Sequence, residues 1–423
     1  MLRSFFFENF KSFISTELSI EKLSILIGSN SSGKSNAVEG IRILSELATG
    51  RSIATILDGS KNIDSGIRGG SRGCLRFSSR SFLLGCSLQK EDYVLNYKIR
   101  IAVSDEDGIF VGKESLERIV EGHSQIIFST GEILQGEHIA VQYRFSGQTS
   151  EMQQLLCNPY AAVLPQIVNL QPTTQQRELS RFLDMKEVLN QLTNILFLNP
   201  EPGQMRDYVQ INDKVLHANA ENISAVLYHL CETAAEHAAN KARLLEKIKR
   251  LPENEIMDIE FVKTGLNDVI LTLKEKYGET PIDAKRLSDG TLRCLAVLTA
   301  LLSERKGSVV VVEEADNGIH PSRARMLLQT MTELADENDI TVIATTHNPA
   351  LLDAIDASTL SGVSLCYREQ DKGSSKFVRV IGIPEYFRMA AEGSMGELAT
   401  EDRLVKLLKE STEKQNSYEW LGI

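Results

Sequence analysis

The segment Gly28-Ser29-Asn30-Ser31-Ser32-Gly33-Lys34-Ser35 decides the fold of this chain. The apolar run 23–27 precedes it, and residues 36–44 follow it. We predict a strand, a glycine-bounded loop and then a helix, which is the context that a phosphate-binding loop requires. Gly28 and Gly33 permit the turn and let the backbone approach a ligand closely.

This loop has the chemistry that a triphosphate needs. Successive backbone N–H groups in a tight loop donate to phosphate oxygens without obstruction by side chains, and the first amides of the helix extend the cradle. We expect Lys34 to reach the β- and γ-phosphates of ATP and the Ser35 hydroxyl to bind Mg²⁺. The alternative is a surface loop that matches by chance. The predicted nucleotide-binding residues are Gly28, Asn30, Ser32, Gly33, Lys34, Ser35 and Asn36.

The composition describes an ordinary soluble globular protein, with 42% hydrophobic and 24% charged residues. Its 423 residues predict two or three structural units. No apolar stretch approaches the ~18 residues of a membrane span, and the amino-terminal apolar run meets an acid too early for a signal peptide. We therefore expect a cytoplasmic protein with no membrane partner. The six cysteines form no C-x-x-C pair, so neither disulfides nor a zinc site are expected.

Three successive segments of the chain differ in their sequence pattern, which predicts an α/β fold with an antiparallel subdomain and a helical insertion. Alternating runs at 74–77, 82–88, 93–101 and 138–145 indicate an antiparallel meander within residues 1–150. Residues 151–252 are poor in glycine and carry apolar positions at helical spacing, so they are predicted to form a helical insertion. Strand and helix signals alternate through 253–423, as in a mostly parallel sheet covered by helices.

A basic tract ends this helical insertion. Residues 241–250 hold five basic residues and one acid. Such a tract is read either as a solvated helix face or as a surface that contacts the phosphates of nucleic acid. The net charge of −11 argues against a surface that is basic all over, but it does not exclude a local basic groove.

A second group of candidate residues follows a buried strand. The run 309–312 is four valines and ends in Glu313 and Glu314. Ligands bind at the carboxyl ends of strands in open α/β sheets. We assign Glu313 to the metal and Glu314 to general-base catalysis, in which it polarises the water that attacks the γ-phosphate.

Two further segments end or begin elements in the same half of the chain. Ser288 and Gly290 open a predicted helix, and this makes its first turn a second anion site, with a simple N-cap as the alternative. The run 340–346 is a predicted buried strand that leads into His347. A histidine at that end of a strand can hydrogen-bond the γ-phosphate or the attacking water, although a lone histidine is more often structural.

Together these segments resemble the ABC-class ATPases of the SMC, RecF and OLD type, including the single-head ATPases of bacterial anti-phage defence. Residues 28–35 look like their Walker A motif, 287–291 like the signature motif and 309–314 like Walker B. Asn317 and Gly318 resemble the D-loop, and His347 the switch histidine. The signature reads Ser-Asp-Gly-Thr where transporters carry Ser-Gly-Gly-Gln, and Glu313 stands where Asp is usual. Gln142 is a candidate for the Q-loop glutamine.

The resemblance implies a head-to-head homodimer, or a higher assembly, with ATP and Mg²⁺ between the subunits. Ser288 and Gly290 would then contact the γ-phosphate held by the other subunit, so that ATP joins the two copies and hydrolysis loosens them. The domains implied are a first head lobe (1–150), the insertion (151–252) and a second head lobe (253–423).

Several functions remain open at this point. The first is an ATPase switch in anti-phage defence or DNA surveillance that controls a separate effector, a nuclease or toxin. It is favoured because only 76 residues follow His347, too few for the nuclease domain of OLD proteins. The second is a RecF-like, ATP-gated DNA-binding protein, for which the tract 241–250 is the evident surface. A transporter motor and an ATP-binding scaffold with little turnover are the remaining alternatives.

Overall fold

A computed structural model gives the bounds of the helices and strands. It describes residues 1–60, 67–106, 108–134, 138–145, 152–170, 180–250, 256–278, 280–315, 319–347, 349–356, 359–369, 371–383, 386, 404 and 408. The strands there are β1 (Leu2–Phe10), β2 (Phe13–Ser19), β3 (Leu23–Ile27), β4 (Ser81–Gln89), β5 (Val94–Ser104), β6 (Gly108–Val120), β7 (His123–Leu134), β8 (His138–Tyr143), β9 (Gln153–Cys157), β10 (Ile195–Leu198), β11 (Val209–Gln210), β12 (Ile256–Lys263), β13 (Asp268–Glu275), β14 (Ile282–Asp283), β15 (Val309–Val312), β16 (Thr341–Thr345), β17 (Val363–Arg368) and β18 (Ser375–Arg379). The α-helices are α1 (Lys34–Ala48), α2 (Ile53–Asp58), α3 (Gly70–Cys74), α4 (Val163–Asn169), α5 (Ser180–Thr193), α6 (Ile223–Tyr228), α7 (His237–Ile248), α8 (Asp289–Ser303), α9 (Pro321–Glu337) and α10 (Pro349–Leu352).

The predicted α/β fold and the predicted strand, loop and helix around residues 28–35 are confirmed. Strand β3 ends at Ile27 and α1 begins at Lys34. Among the described helices, none has the length and apolar character needed to cross a membrane.

The chain divides into two compact units. The first comprises Met1–Ile20, Ser31–Ile195 and Cys366–Phe377, and the second Glu21–Asn30, Leu196–Leu365 and Val378–Ile423. The division passes through the glycine-bounded loop, so β3 is counted with the second unit and α1 with the first.

The segment 151–252 contributes helices and strands to both units. Helices α4 and α5 lie in the first unit, and α6 and α7 lie in the second. It also contains β9, β10 and β11, which join three different sheets. These strands are short, at five, four and two residues, so the period-two alternation has little length in which to appear. The domain boundaries at 150 and 252 stay predictions.

The first unit carries an eight-stranded antiparallel sheet in the order β2-β1-β4-β5-β6-β7-β8-β9. The predicted strands at 82–88, 93–101 and 138–145 are confirmed as β4, β5 and β8. The prediction of a strand at 74–77 is wrong, because α3 ends at Cys74 and only Leu75 makes an isolated bridge, to Phe10. Asp58 Oδ1 accepts a hydrogen bond from Ser71 N in the first turn of this helix (2.6 Å) and so helps to stabilise it.

Helix α1 packs closely on the first unit's sheet through a glycine. A Cβ at Gly40 would lie 2.7 Å from Phe7 Cε1, so only glycine lets the helix approach this far. Phe7 in turn stacks on Phe13 with ring centroids 5.1 Å apart, and both side chains are buried. The helix that opens at Lys34 is therefore seated on an aromatic core.

The second unit holds β15, β16 and β3, three neighbouring strands of a six-stranded sheet in the order β10-β15-β16-β3-β17-β18. Strands β15, β16 and β3 are parallel, and every residue of all three is buried. Continuous burial is what a parallel sheet covered on both faces requires, and it explains the uninterrupted valine run. The predicted parallel sheet is confirmed.

A fully buried carboxylate lies within the first unit's sheet. Glu114 on β6 accepts hydrogen bonds from Tyr97 Oη (2.9 Å), Val163 N (2.7 Å) and Leu164 N (2.7 Å). Burial raises the pKa of Glu114 to about 7, and the three hydrogen bonds only partly oppose this rise. The side chain joins the sheet to the start of α4.

The raised pKa of Glu114 predicts a pH-dependent contribution to stability. The pKa is 4.5 in the absence of the fold, so between about pH 5 and 7 the folded chain holds a proton that the unfolded chain releases. The free energy of unfolding of the wild type, minus that of Glu114→Gln, should therefore fall as pH rises through this range, by up to ~1 kcal/mol per pH unit. Urea unfolding of both proteins measures it, and a difference independent of pH would contradict the prediction.

Candidate nucleotide-binding site

Three parallel strands of the second unit end at one edge of its sheet. In their register Val312 of β15 lies beside Ala344 of β16, which lies beside Ile25 of β3. From this line β15 ends at once, β16 continues for one residue and β3 for two before each becomes loop. The edge thus brings together the start of the loop at Gly28, the acids after β15 and the residues after β16.

The two acids after β15 differ in their surroundings. Glu313 is half-buried, and its N–H donates to Leu198 O at the end of β10 (3.1 Å). Glu314 is exposed and has a φ of +47°, a left-handed conformation that is uncommon outside glycine. Its N–H donates to Thr345 Oγ1 (2.9 Å) on the neighbouring strand β16. Two consecutive carboxylates therefore leave the strand with different exposure.

His347 follows β16 at this same edge. Its neighbour Thr346 is buried and donates its N–H to Leu26 O on β3 (3.1 Å), so the chain stays in register with β3 up to that point. His347 itself is exposed. Within the second unit, the structure thus brings His347, Glu313 and Glu314 to the edge where the Gly28 loop begins.

The first unit carries the second half of the loop, residues 31–35. Ser31 and Gly33 have φ values of +65° and +124°. A Cβ at Gly33 would lie 2.7 Å from Ser375 Oγ, so the position requires glycine for both its conformation and its close contact. The Ser375 hydroxyl and the Cys366 thiol both donate to the Ser32 carbonyl, the thiol at 3.3 Å.

The loop fits a phosphate group in two respects. Ser32 Oγ is buried and has no hydrogen-bond partner within the described residues, although buried polar atoms normally have one. Helix α1 begins after Gly33, an N-cap residue that has no side chain with which to accept a hydrogen bond from the first turn. The N-terminus of a helix is a favourable place for an anion such as a phosphate group.

The remaining loop residues differ in what they offer a nucleotide. Ser29, Asn30, Ser31 and Ser35 are exposed and Lys34 is half-buried. Asn36 Nδ2 donates to Ser12 Oγ (2.8 Å), so this side chain is already engaged within the first unit.

The predicted magnesium ligands have oxygen chemistry but belong to different units. Ser35 is counted with the first unit and Glu313 with the second, so their action on one ion stays a prediction. Within the described part of the chain, no group of three or more His, Cys, Asp or Glu side chains is arranged to hold a metal. A hydroxyl and one carboxylate suit Mg²⁺, which keeps several waters and binds phosphate oxygens.

The predicted signature segment begins helix α8. Ser288 is its N-cap, and Ser288 Oγ accepts from Thr291 N (3.2 Å). Ser288 and Asp289 are exposed and Gly290 is buried. Arg206 binds this turn from the side, donating to Asp289 Oδ1 (2.5 Å) and to Leu287 O (2.9 Å). The guanidinium therefore neutralises the one acid in the first turn.

Two predicted elements are less informative. Asn317 and Gly318 lie outside the described residues. Gln142 lies on β8 of the first unit, is exposed, and faces Ser129 and Gln154 on the neighbouring strands.

The basic tract 241–250 is engaged in ion pairs with nearby acids of its own unit. Lys247 Nζ lies 2.5 Å from Glu333 Oε2, and Arg243 Nη2 lies 2.9 Å from Glu337 Oε2, both acids being on α9. Arg250 also binds Glu333, and Lys241 binds Asp258. Hydrogen bonds from Lys247 and Arg243 lower the pKa of Glu333 and Glu337, so the acids stay ionised at neutral pH. The tract serves to join α7 to α9.

Sequence reasoning missed three residues that support the site. Ser375 and Cys366 hold the Ser32 carbonyl from more than 300 positions away, and Thr345 binds the backbone of Glu314 from another strand. A serine, a cysteine and a threonine outside any motif give no local signal. Only the position of Thr345 at the end of a predicted buried strand indicates that it lies at the edge of the sheet where the site forms.

Comparisons with known proteins agree with the motifs. Residues 177–353 match a family model described as "AAA domain, putative AbiEii toxin, Type IV TA system". A curated protein of Helicobacter pylori, named "ATP/GTP phosphatase", is 24% identical over 364 residues, covering 84% of this chain and 88% of its own. Together these two matches agree with the resemblance to an ATPase that the motifs indicate. The link to anti-phage defence stays a prediction.

Solved SMC head structures align with most of this chain at low similarity. An SMC head bound to the C-terminal winged-helix domain of ScpA has a TM-score of 0.47 at 11% identity, with 89% of this chain and 96% of that one covered. The SMC head domain from Thermotoga maritima has a TM-score of 0.40 at 12% identity, with 90% and 98% covered.

Proposed function

We propose that this protein binds and hydrolyses ATP, and that it acts as a molecular switch rather than as a metabolic enzyme. One observation carries the proposal: the register of β15, β16 and β3 brings the start of the Gly28 loop, two carboxylates and a histidine to a single sheet edge. The family match supports the assignment, since it spans Glu313, Glu314 and His347. The H. pylori relative, named as a phosphatase of ATP or GTP, also supports it.

The residues would divide the work by charge and position. The loop amides and Lys34 bind the β- and γ-phosphates, and Ser35 with Glu313 would hold Mg²⁺. When bound, Mg²⁺ neutralises charge that develops on the phosphate oxygens. Glu314, exposed at the edge, accepts the proton of the attacking water, and His347 donates a hydrogen bond to the γ-phosphate.

Two substitutions test hydrolysis and binding separately. Glu314→Gln removes the base but keeps the side-chain size, so phosphate release should fall by about 100-fold or more while ATP affinity stays near that of the wild type. Lys34→Ala, the companion variant, should lose ATP affinity instead. Phosphate release and equilibrium ATP binding provide the two readouts. If Glu314→Gln hydrolyses ATP at the wild-type rate, the assignment of the base is wrong.

We further propose that ATP joins two copies head to head, with Ser288 of each copy reaching the γ-phosphate bound to the other. Asp289 would place a carboxylate beside that triphosphate, and the repulsion would oppose closure. Arg206 offsets this charge, since it binds Asp289 directly. The signature turn can then present its amides to an anion despite the acid in its sequence.

This arrangement predicts a charge rescue. Arg206→Ala should weaken ATP-dependent dimerisation by about 10-fold or more, because Asp289 is left to repel the nucleotide. Asp289→Asn in the same chain should restore most of the loss, since it removes the repelling charge. Sedimentation with ATP in the Glu314→Gln background measures the dimer. Equal dimerisation of Arg206→Ala and its parent would contradict this role for the arginine.

We propose that the switch controls a separately encoded effector, a nuclease or toxin, in anti-phage defence. The description of the matched family, which names a toxin and a type IV toxin–antitoxin system, supports this class of function. The RecF-like alternative stays a second candidate, but four of the five basic residues at 241–250 bind acids of the same chain, which reduces the positive charge that this tract offers to DNA.

The effector proposal predicts a stable complex. When the protein is purified from its native operon, a second gene product should co-purify in a ratio that changes between ATP and ADP, because the switch must present different surfaces in the two states. The Lys34→Ala variant is the control that should lose the nucleotide effect. A protein that purifies alone and is active alone would overturn the proposal.

A further inference from the structure

The turn that carries Glu314 is held by a residue from another strand. Glu314 N donates to Thr345 Oγ1 (2.9 Å), and the next amide, Ala315 N, donates to Thr345 O (3.1 Å). Thr345 is the last residue of β16 and is only 6% exposed. Both bonds thus end on one buried residue, and they are the means by which the chain after β15 is tied to the end of β16.

The conformation of Glu314 explains why such a tie is needed. A φ of +47° brings Cβ close to the following carbonyl group, which is unfavourable for a residue other than glycine. Residues held in this region persist only where their surroundings fix them. The threonine hydroxyl supplies that restraint directly at the strained residue.

The same threonine connects the two predicted catalytic groups. Thr345 binds the backbone of Glu314 and precedes His347 by two residues in the chain. Between them, Thr346 is buried and bonded to Leu26 on β3. The backbone of Glu314 is therefore hydrogen-bonded to the same short segment that ends in His347.

We propose that Thr345 is a positioning residue for ATP hydrolysis: its hydroxyl holds the Glu314 backbone in the left-handed turn from which the carboxylate meets the attacking water. The proposal rests on the function proposed above, with Glu314 as the base. Loss of the hydroxyl leaves the Glu314 amide without its acceptor and frees the turn to relax. A displacement of the base by about 1 Å is enough to cost up to ~100-fold in rate.

An isosteric substitution tests this directly. Thr345→Val removes the hydroxyl and keeps the shape, so kcat should fall by ~10- to 100-fold while ATP affinity changes by less than about 2-fold. Thr345→Ser keeps the hydroxyl and should retain most of the wild-type kcat. The matched control is Thr341→Val, the same change on a buried residue at the opposite end of β16, which should leave kcat unchanged.

A structural effect is separated from a positioning effect by combining variants. If Thr345 acts through Glu314, Thr345→Val should lower the residual rate of Glu314→Gln by less than about 2-fold, because the base is already absent. Thr345→Ala is measured alongside, so that a Val variant that fails to fold still leaves a comparison with Thr345→Ser. Thermal unfolding of each variant reports the fold.

The outcomes distinguish this proposal from the one on which it rests. A Glu314→Gln variant with the wild-type rate would overturn the proposed catalytic base itself. A slow Glu314→Gln variant together with folded Val and Ala variants of Thr345 that turn over like the wild type would overturn the positioning role alone. Additive losses in the double variant would also overturn it.

Discussion

The parallel pairing of β15, β16 and β3 is the constraint on which the candidate site depends. Parallel strands in register must end at one edge of the sheet. Strand pairing alone therefore brings together residues from three distant stretches of sequence, without contacts between their side chains. The burial of all three strands makes that pairing costly to shift, because a slip by one residue would turn every side chain to the other face. The chemistry at the edge is thus positioned by backbone hydrogen bonds and apolar packing.

The sequence predicted those parts of the molecule whose signals are local. Two such signals are the loop between Gly28 and Ser35 and the valine run before Glu313. Each is recognisable within ten residues of sequence, and the strands β3 and β15 form where these signals predict them. The sequence does not reveal the short strands of the segment 151–252, because each depends on a partner strand elsewhere in the chain. It does not reveal the helix at Gly70–Cys74 either, since Asp58 helps to stabilise the first turn of that helix from outside it. The support from Thr345 and Ser375 was invisible for the same reason. It exists only once strands that are far apart in sequence have paired.

Several basic side chains of this protein form ion pairs with acids from other parts of the chain. Residues 241–250 are basic in sequence, yet four of their five cations lie against Glu333, Glu337 and Asp258. Arg206 likewise forms an ion pair with Asp289 in the signature turn. A count of charges along the chain therefore overstates the positive surface, because it ignores the neighbours that folding supplies.

The hydrogen bonds to the Ser32 carbonyl have a consequence for how the protein is made. The donors Ser375 and Cys366 follow Ser32 by 343 and 334 residues, so the ribosome must add nearly the whole chain before they exist. At ordinary rates of translation this interval is roughly 20 to 70 s. Throughout it, the nascent loop lacks two of its fixed points. In an unfinished polypeptide the Ser32 carbonyl therefore lacks both donors, so this part of the loop reaches its final hydrogen-bonded arrangement only late in synthesis.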